Sequence, residues 1–456
     1  MRAAALSSLV LVLLISAAPA AAQTFREAVE LARSTEPTYL GVKANSAASQ
    51  EKSRQAFAGF LPQVTATANT SFNHRDYRTR DGLSPGSIDS YNSNSGQVNV
   101  TQSLWRPSNW IALRQAETVV SQADYQLAAA EQDLLARFVV SWCDTMFARD
   151  SVLFYTRQAA ATRQQWEILK RGVELGTAAA PGLEEARTKH EQALSERISA
   201  EMDFHVKVAA LEQLLGPVQS FVPPFLSYGI KIQDLTNEPL EEWLQWAERS
   251  PQALAAAQAL GAADDEIRKQ RASYDPTLDL VGSYTRNAQQ TGNFPGQAGY
   301  DIKQGVVGLQ LSIPLYAGGG QRAKVGEAIA MREKARQDLA ATQRATRLAM
   351  KQAWYGAQGA TTRHVAAVQA VKASIVALRA ASGGIAAGLK TDLELLQAQQ
   401  QLEGSRRDLN RARYDMITSL VKLKAAAGQL GEDDIQFLDK MFMGREASPD
   451  ELLASN

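Results

Sequence analysis

The chain contains the same structural unit twice. In each half, a proline-started helix precedes a short strand, a polar loop, a second short strand and a very long helix. The positions that recur at nearly constant spacing are Pro37 and Pro251, Pro62 and Pro276, Leu104-Trp105 and Leu315-Tyr316, and Gly176 and Gly388. Strand pairs joined to such long helices suit a tube better than a compact enzyme, because strands can form part of a barrel and helices a long wall. The duplication also accounts for the 456 residues better than one large domain does.

Composition argues against several functional classes. The net charge is zero and the pI is about 6.9, so nothing indicates a nucleic-acid partner. The single cysteine, Cys143, excludes an intrachain disulfide and a cysteine-based zinc site. The histidines lack metal-ligand spacing, and no nucleophile elbow is present. We therefore expect no catalytic, cofactor-binding or metal site, and no enzyme activity.

The N-terminus has the parts of a secretory signal peptide, which we assign to residues 1–22. Arg2 precedes the apolar run Leu6–Ile15, and Ala20-Ala21-Ala22 forms a small-residue cleavage site. No cysteine lies near that site, so lipid modification there is excluded. No later apolar run is long enough to predict a transmembrane helix. A protein of this kind is periplasmic, extracellular or a β-barrel of an outer membrane.

Four segments show the period-two alternation of strands, at about 62–72, 96–105, 276–286 and 305–316. Each is close to the length of a tilted strand that crosses a bilayer. Trp105 and Tyr316 close equivalent strands, where interfacial aromatic residues are expected. The tracts 73–95 and 287–304 are rich in polar residues and glycine, which predicts solvated loops. A β-hairpin of a soluble protein, with one face exposed to solvent, gives the same pattern and remains an alternative.

Two very long helices are predicted, at 108–172 and 318–386. Neither Pro nor Gly occurs between Ser108 and Arg171, and such a helix is about 95 Å long. Its large and small apolar residues recur every seven positions, which favours coiled-coil packing. Shorter helices are predicted at about 24–59, 183–215, 239–272 and 391–428. We divide the chain into a first repeat (23–215), a proline-rich linker (216–239), a second repeat (240–430) and a C-terminal tail (431–456) expected to be disordered.

Several motifs resemble the TolC-type outer-membrane efflux and secretion channels. The similarity covers about residues 24–430, and its carriers are Gly59-Phe60-Leu61-Pro62 before the first strand, Pro314-Leu315-Tyr316-Ala317-Gly318-Gly319 after the last, Gly176 and Gly388–Ala398. The resemblance implies a fold that combines long α-helices with a membrane β-sheet. In such a homotrimer each half of each chain gives two strands to a 12-stranded barrel, surrounded by outer-membrane lipids, and its helices build a periplasmic tunnel. It also implies two partners: a periplasmic adaptor and an inner-membrane ABC or proton-driven transporter.

The resemblance extends to a gate at the inner end of the tunnel. Matched residue by residue, Glu394 falls on an acidic pore-lining position and Gln397 on a second, normally acidic one. Lys390 falls on a basic position that tethers the gate, but its usual partner position is Gly182 here, which lacks a carboxylate. Three symmetry-related Glu394 carboxylates would concentrate cations. We therefore expect a cation-selective channel that multivalent cations block.

Two classes of function remain open from the sequence. The first is an outer-membrane exit duct of a tripartite efflux or type I secretion system, and the second is a soluble periplasmic coiled-coil scaffold or adaptor. Within the duct class the sequence does not decide between drugs and proteins as cargo. By resemblance, the missing lipidation cysteine and the duplication favour the secretion branch.

Overall fold

The structure is a computed structural model that describes residues 24–78, 87–177, 179–216, 224–227, 238–291 and 298–443. The chain forms two compact units. We call one the helical unit, which contains the described residues within 1–42, 128–250 and 345–456, and the other the sheet unit, which contains the described residues within 43–127 and 251–344.

The two halves of the chain contain the same series of elements. The first half has α1 (Phe25–Thr35), α2 (Pro37–Ala58), β1 (Gln63–Tyr77), β2 (Ser87–Trp105), α3 (Pro107–Glu174) and α4 (Ala180–Leu215). The second has α5 (Leu240–Glu248), α6 (Pro251–Ala272), β3 (Thr277–Gln289), β4 (Tyr300–Ser312), α7 (Gly320–Ala386) and α8 (Asp392–Ala427), and α9 (Glu432–Met441) follows. Matching elements have matching lengths: α2 and α6 have 22 residues each, α3 has 68 and α7 has 67, and α4 and α8 have 36 each.

Prolines divide the first helical segment of each half, where one unbroken helix was expected. Glu36 has an extended backbone (φ −69°, ψ 117°), and α2 begins at Pro37. The reason is steric, because the proline ring disfavours helical geometry in the preceding residue while its own φ suits the first position of a helix. The second half repeats this arrangement at Pro251, where α6 begins.

The core of the helical unit is built around an aromatic cluster. The Phe25 ring lies 5.4 Å from the rings of Phe138 and Trp142 and 5.0 Å from that of Phe442, measured between centroids. All four side chains are almost completely buried. Helix α1 presents the apolar stripe that faces this cluster, and Thr24 and Glu27 form a capping box at its start.

The prediction of a disordered tail from residue 431 onward is wrong for residues 432–443. Helix α9 forms there, with Ile435, Leu438 and Met441 buried, and Phe442 joins the aromatic cluster. The segment is folded because it covers core side chains, although its sequence is polar at first sight. The rest of the predicted tail lies outside the described residues.

Among the described residues, one helix is long and apolar enough to span a membrane by length and composition alone. From the sequence, no such helix was expected. Helix α7 contains an 18-residue stretch that has a mean hydropathy of 1.3 and few charged residues. Of the residues in this stretch, 22% are buried. Within this helix Val371 and Ile375 pack against Leu402 and Leu409 of α8. These two apolar residues of α7 therefore pack against a neighbouring helix.

The sheet unit contains one antiparallel sheet with the strand order β1-β2-β3-β4. Gln63 of β1 lies opposite Thr101 of β2, Ser93 of β2 opposite Gln289 of β3, and Thr277 of β3 opposite Ser312 of β4. A β-bulge between Ser103 and Trp105 shifts the pairing of β2 with β3. The middle pair, β2 with β3, joins the two halves of the chain.

The strands extend further than predicted at one end of the sheet and stop earlier at the other. Within the expected loop 73–95, β1 continues to Tyr77 and β2 begins at Ser87. Within the expected loop 287–304, β3 continues to Gln289 and β4 begins at Tyr300. Backbone pairing does not require apolar side chains, so the polar residues there continue the ladder. At the other end, β4 stops at Ser312 rather than at Tyr316, because Pro314 has no N–H to donate.

Candidate functional site

The sheet has two chemically different faces. The register places the following residues together on what we call the apolar face: Val64, Ala66, Val98, Val100, Trp105, Leu278, Leu280, Tyr284, Val307, Leu309 and Leu311. The opposite face, which we call the polar face, carries mainly Thr65, Thr67, Gln97, Asn99, Thr101, Ser103, Asp279, Thr285, Gln304 and Gln310. On the apolar face Val307 is 80% exposed and Leu309 66%. A sheet that exposes its apolar face is suited to contact with lipid.

The β-bulge determines which face receives Trp105. Strict alternation would place Leu104 with Val98 and Val100, and Trp105 on the opposite face. Because the bulge leaves Leu104 as the extra residue, Trp105 pairs with Leu278 and joins the apolar face. Trp105 and Tyr284 then lie at the two ends of the apolar band, where amphipathic rings are expected at membrane interfaces. Tyr316 follows the end of β4 and is 88% exposed.

An ion pair lies on the polar face at the end of the sheet where Trp105 is found. Arg106 Nη2 donates to Asp279 Oδ2 at 2.8 Å, and the Asp279 side chain is largely buried. Arg106 links the end of β2 to the start of α3, and Asp279 lies on β3. Neither residue was singled out from the sequence, since a lone Arg and a lone Asp 173 positions apart carry no local signal.

The sheet has two open edges. Strand β1 pairs only with β2 and strand β4 only with β3 among the strands that the structure describes. The outer backbone groups of both strands therefore need partners from elsewhere. This requirement is strict in lipid, where no water can replace a missing strand.

The turns after the two long helices have the same geometry. Gly176 follows α3 with φ 74°, and Gly388 follows α7 with φ 69°. In each turn the next residue donates its N–H to a glycine carbonyl: Thr177 to Gly172 and Leu389 to Gly384, both at 2.8 Å. These bonds form the Schellman motif, which needs a left-handed residue and therefore favours glycine. Gly318 and Gly319 also have positive φ angles, before the start of α7.

Glu394 caps the start of α8 in the single chain. The Thr391 N–H and hydroxyl donate to Glu394 Oε2 at 2.8 and 3.2 Å, and the Glu394 N–H donates to Thr391 Oγ1 at 3.4 Å. The Thr391 N–H bond is the main reason why the pKa of Glu394 lies below its usual range, and Lys390 adds a smaller effect. The sequence Thr391-Asp392-Leu393-Glu394 is a capping-box signature that could have been recognised from the sequence.

Gln397 lies one turn after Glu394 on the same exposed side of α8. Lys390 lies in the turn before the helix, with its side chain packed over Gly384. Gly182 lies within the first turn of α4 and has no side chain for Lys390. The structure thus brings Lys390, Glu394 and Gln397 together at one hairpin tip, the α7–α8 turn.

A family model described as outer membrane efflux protein matches residues 18–217 and 245–429. The chain belongs to the outer membrane efflux protein family.

Individual relatives agree with this assignment over almost the whole chain. The protein is similar to the outer membrane protein TolC of Vibrio cholerae, with 27% identity over 417 residues that cover 91% of this chain and 92% of TolC. It is also similar to the proteases secretion protein PrtF of Dickeya chrysanthemi, with 26% identity covering 95% of this chain and 94% of PrtF. The CmeC outer membrane channel of Campylobacter jejuni has a similar fold, with a TM-score of 0.73 at 14% identity, covering 93% of this chain and 90% of CmeC.

As an outer membrane efflux protein, the chain is located in the outer membrane and is an exit duct for efflux or type I secretion. Its fold is that of the outer-membrane channels, with long helices and a sheet. By name, its relatives are an outer membrane protein and a secretion protein, and the similar solved structure is an outer membrane channel.

Proposed function

We propose that three copies of this chain form a closed 12-stranded barrel that continues into a helical tunnel through the periplasm. The observation that carries the proposal is the four-stranded sheet with two open edges and an exposed apolar face. Four strands cannot close, and closed membrane barrels usually need about eight or more strands. Strand β1 of one copy pairing with β4 of the next would satisfy all edges at once.

The duct works with a periplasmic adaptor and an inner-membrane transporter. The transporter is an ABC exporter or a proton-driven pump, as the family resemblance implies. Among the described residues no cluster of potential metal ligands occurs. The polar face of the sheet lines the water-filled lumen, and the apolar face contacts outer-membrane lipid.

Of these two transporter classes we propose the ABC exporter, and with it a secreted protein as the cargo. The similarity to a proteases secretion protein supports this choice over drug efflux. The test is reconstitution in cells that lack their own duct: co-expression with an adaptor, an exporter and its protein cargo should release the cargo. Export of small dyes with an efflux pump, without protein release, would favour drug efflux.

At the periplasmic entrance, Glu394 and Gln397 line the constriction and Lys390 lies beside it. Their position at the exposed tip of the α7–α8 hairpin supports this role. Glu394 then has two functions, since it caps α8 within one chain and supplies one third of an acidic ring in the trimer.

Fractionation separates the duct from the alternative, a soluble periplasmic scaffold. The duct stays with outer membranes through salt and carbonate washes, runs as a trimer in detergent and conducts ions in planar bilayers. A protein that washes off as a monomer and never conducts would support the scaffold and overturn the duct.

A further inference from the structure

On β3 and β4, the apolar face of the sheet ends at a row of basic residues. Leu278 and Leu311 lie opposite each other at one end of β3 and β4, and Arg286 and Lys303 lie opposite each other eight residues further on. All four belong to the same face, because each step of two residues along a strand returns to it. Between them this face carries no charged residue on β3 or β4.

The spacing matches the thickness of a membrane. Eight residues span roughly 27 Å along a strand, which is roughly 21 Å along the membrane normal for a strand tilted by about 40°. The apolar band of outer-membrane barrels is about 25 Å tall. The helices start at the Leu278 end of the sheet, so Arg286 and Lys303 lie at the exterior edge of the band, where the head groups of the outer leaflet lie.

The basic row has a net positive charge. Arg286 forms a two-point ion pair with Asp301, with Nε to Oδ1 at 3.0 Å and Nη2 to Oδ2 at 2.7 Å. Lys303 is exposed and has no carboxylate bound to it among the residues that the structure describes. The three side chains together therefore carry one uncompensated positive charge, and more than half of the Arg286 side chain is exposed.

A depression lies beside this row. It has a volume of about 500 Å³. Most of its lining belongs to this face, namely Ala68, Thr70, Asn94, Gly96, Arg286 and Ala288, and Asn69 and Ser95 from the alternate register positions complete it. Ala68 and Gly96 are small and lie in the same row as Arg286, so they leave space next to its guanidinium. Thr70 and Asn94 add hydrogen-bonding groups one row above.

We infer that this depression binds the phosphate-bearing sugar head of an outer-leaflet glycolipid, with Arg286 and Lys303 as its cationic contacts. Guanidinium and ammonium groups recognise phosphate oxygens by charge-assisted hydrogen bonds. The head group lies over the small residues, and the acyl chains lie along the apolar face below. The inference depends on the proposed barrel and its orientation.

Native mass spectrometry of the detergent-purified protein can test this site with three probes. These are a bis-phosphorylated diglucosamine glycolipid, its dephosphorylated form and inorganic phosphate. We expect the phosphorylated glycolipid to bind, the dephosphorylated one to bind about tenfold more weakly, and inorganic phosphate not to compete at equal concentration. Strong competition by inorganic phosphate would instead indicate an anion site that is not specific for lipid.

Variants separate the site from general charge effects. Lys303→Gln and Arg286→Gln each remove one positive charge and should weaken binding about tenfold, whereas Lys351→Gln makes the same change in the helical unit and should not. Asp301→Asn removes the carboxylate that is paired with Arg286 and should tighten binding, a gain that a misfolded variant cannot imitate. Equal binding by the parent, Lys303→Gln and Asp301→Asn would overturn the inference.

The same samples distinguish failure of this inference from failure of the duct. Trimer formation and bilayer conductance are measured on each preparation before lipid is added. A conducting trimer that binds the phosphorylated and the dephosphorylated glycolipid equally well refutes the lipid site alone. A preparation that neither forms a trimer nor conducts refutes the barrel first.

Discussion

Ser93 of β2 and Gln289 of β3 lie directly opposite each other in the sheet, although they belong to different halves of the chain. Residues paired in this way have Cα atoms about 4.5–5.5 Å apart, which is within the range that a disulfide spans. The pairing of the two repeats can therefore be tested covalently.

The double variant Ser93→Cys/Gln289→Cys should form a disulfide on mild oxidation, because the register brings the two side chains to the same face. A shift in gel mobility that reducing agent reverses measures it. Ser93→Cys/Asn287→Cys is the matched control, since Asn287 pairs with Ser95 and lies too far along the strand. Equal cross-linking of both pairs would contradict the register.

Single cysteines at the same two positions test which end of the sheet faces the exterior. Ser93→Cys or Gln289→Cys should react with an impermeant thiol reagent on intact cells. The native Cys143 should not react, because its burial raises the pKa of the thiol, with added repulsion from Asp144 and Asp415. Protection of both introduced cysteines in intact cells, with labelling after lysis, would reverse the orientation.

Phe442 and Met443 provide a matched pair for the folded C-terminal segment. Phe442→Ala should destabilise the helical unit by about 3–5 kcal/mol, because a buried aromatic ring leaves a cavity between Phe25 and Trp142. Met443→Ala should have little effect, since that side chain is 61% exposed. Thermal unfolding followed by circular dichroism measures both. A small effect at Phe442 would mean that α9 does not contribute to stability.

Glu36 should make the helical unit less stable in acid. Burial alone would raise the pKa of Glu36, but the Tyr39 N–H at 2.5 Å, Thr38 and Arg137 outweigh it and hold the pKa below its ordinary value. The lowered pKa means that the stabilisation is complete above the unfolded value near 4.5 and is lost as pH falls through the folded value.

Glu36→Gln should therefore lower the unfolding temperature at neutral pH and show a smaller further decrease in acid than the parent. Glu30→Gln is the control, because Glu30 forms only an exposed pair with Arg26. Parallel pH profiles of the parent and Glu36→Gln would show that Glu36 does not contribute to the acid sensitivity.

Glu394→Gln should reduce cation selectivity and block by multivalent cations from the periplasmic side, since the acidic ring would be lost. Thr391→Ala separates the two roles of this residue, because it removes the capping partner and keeps the carboxylate. Glu327→Gln controls for a charge change elsewhere on an exposed helix. Single-channel recordings that show unchanged selectivity in Glu394→Gln would remove Glu394 from the constriction.

Local patterns were sufficient to predict much of this protein. The first long helix follows from a stretch without Pro or Gly and the second from a stretch without Pro, and the turns at Gly176 and Gly388 follow from the need for positive φ. Period-two alternation predicted the four strands near their observed positions. Such signals depend on neighbours within a few residues, so no knowledge of the fold is required.

The candidate sites were harder to predict than the helices and strands, because they depend more on contacts between residues far apart in the chain. The positions Lys390, Glu394 and Gln397 came from family resemblance, whereas the capping bond between Thr391 and Glu394 is local and could have been predicted. The pairing of Arg106 with Asp279 and the folding of α9 against Phe25 could not, because each partner is far away in the chain.

The sequence by itself determined the duplicated series of helices and strands, because these are encoded in local spacing and composition. The signal peptide predicted at residues 1–22 lies outside the described residues and stays a prediction. Only the tertiary structure decided the strand register and the bulge at Leu104, and with them the face on which Trp105, Arg286 and Lys303 lie. A shift of one residue would move every side chain of a strand to the opposite face. The register is set by pairing across the whole sheet, which no single segment of the sequence specifies.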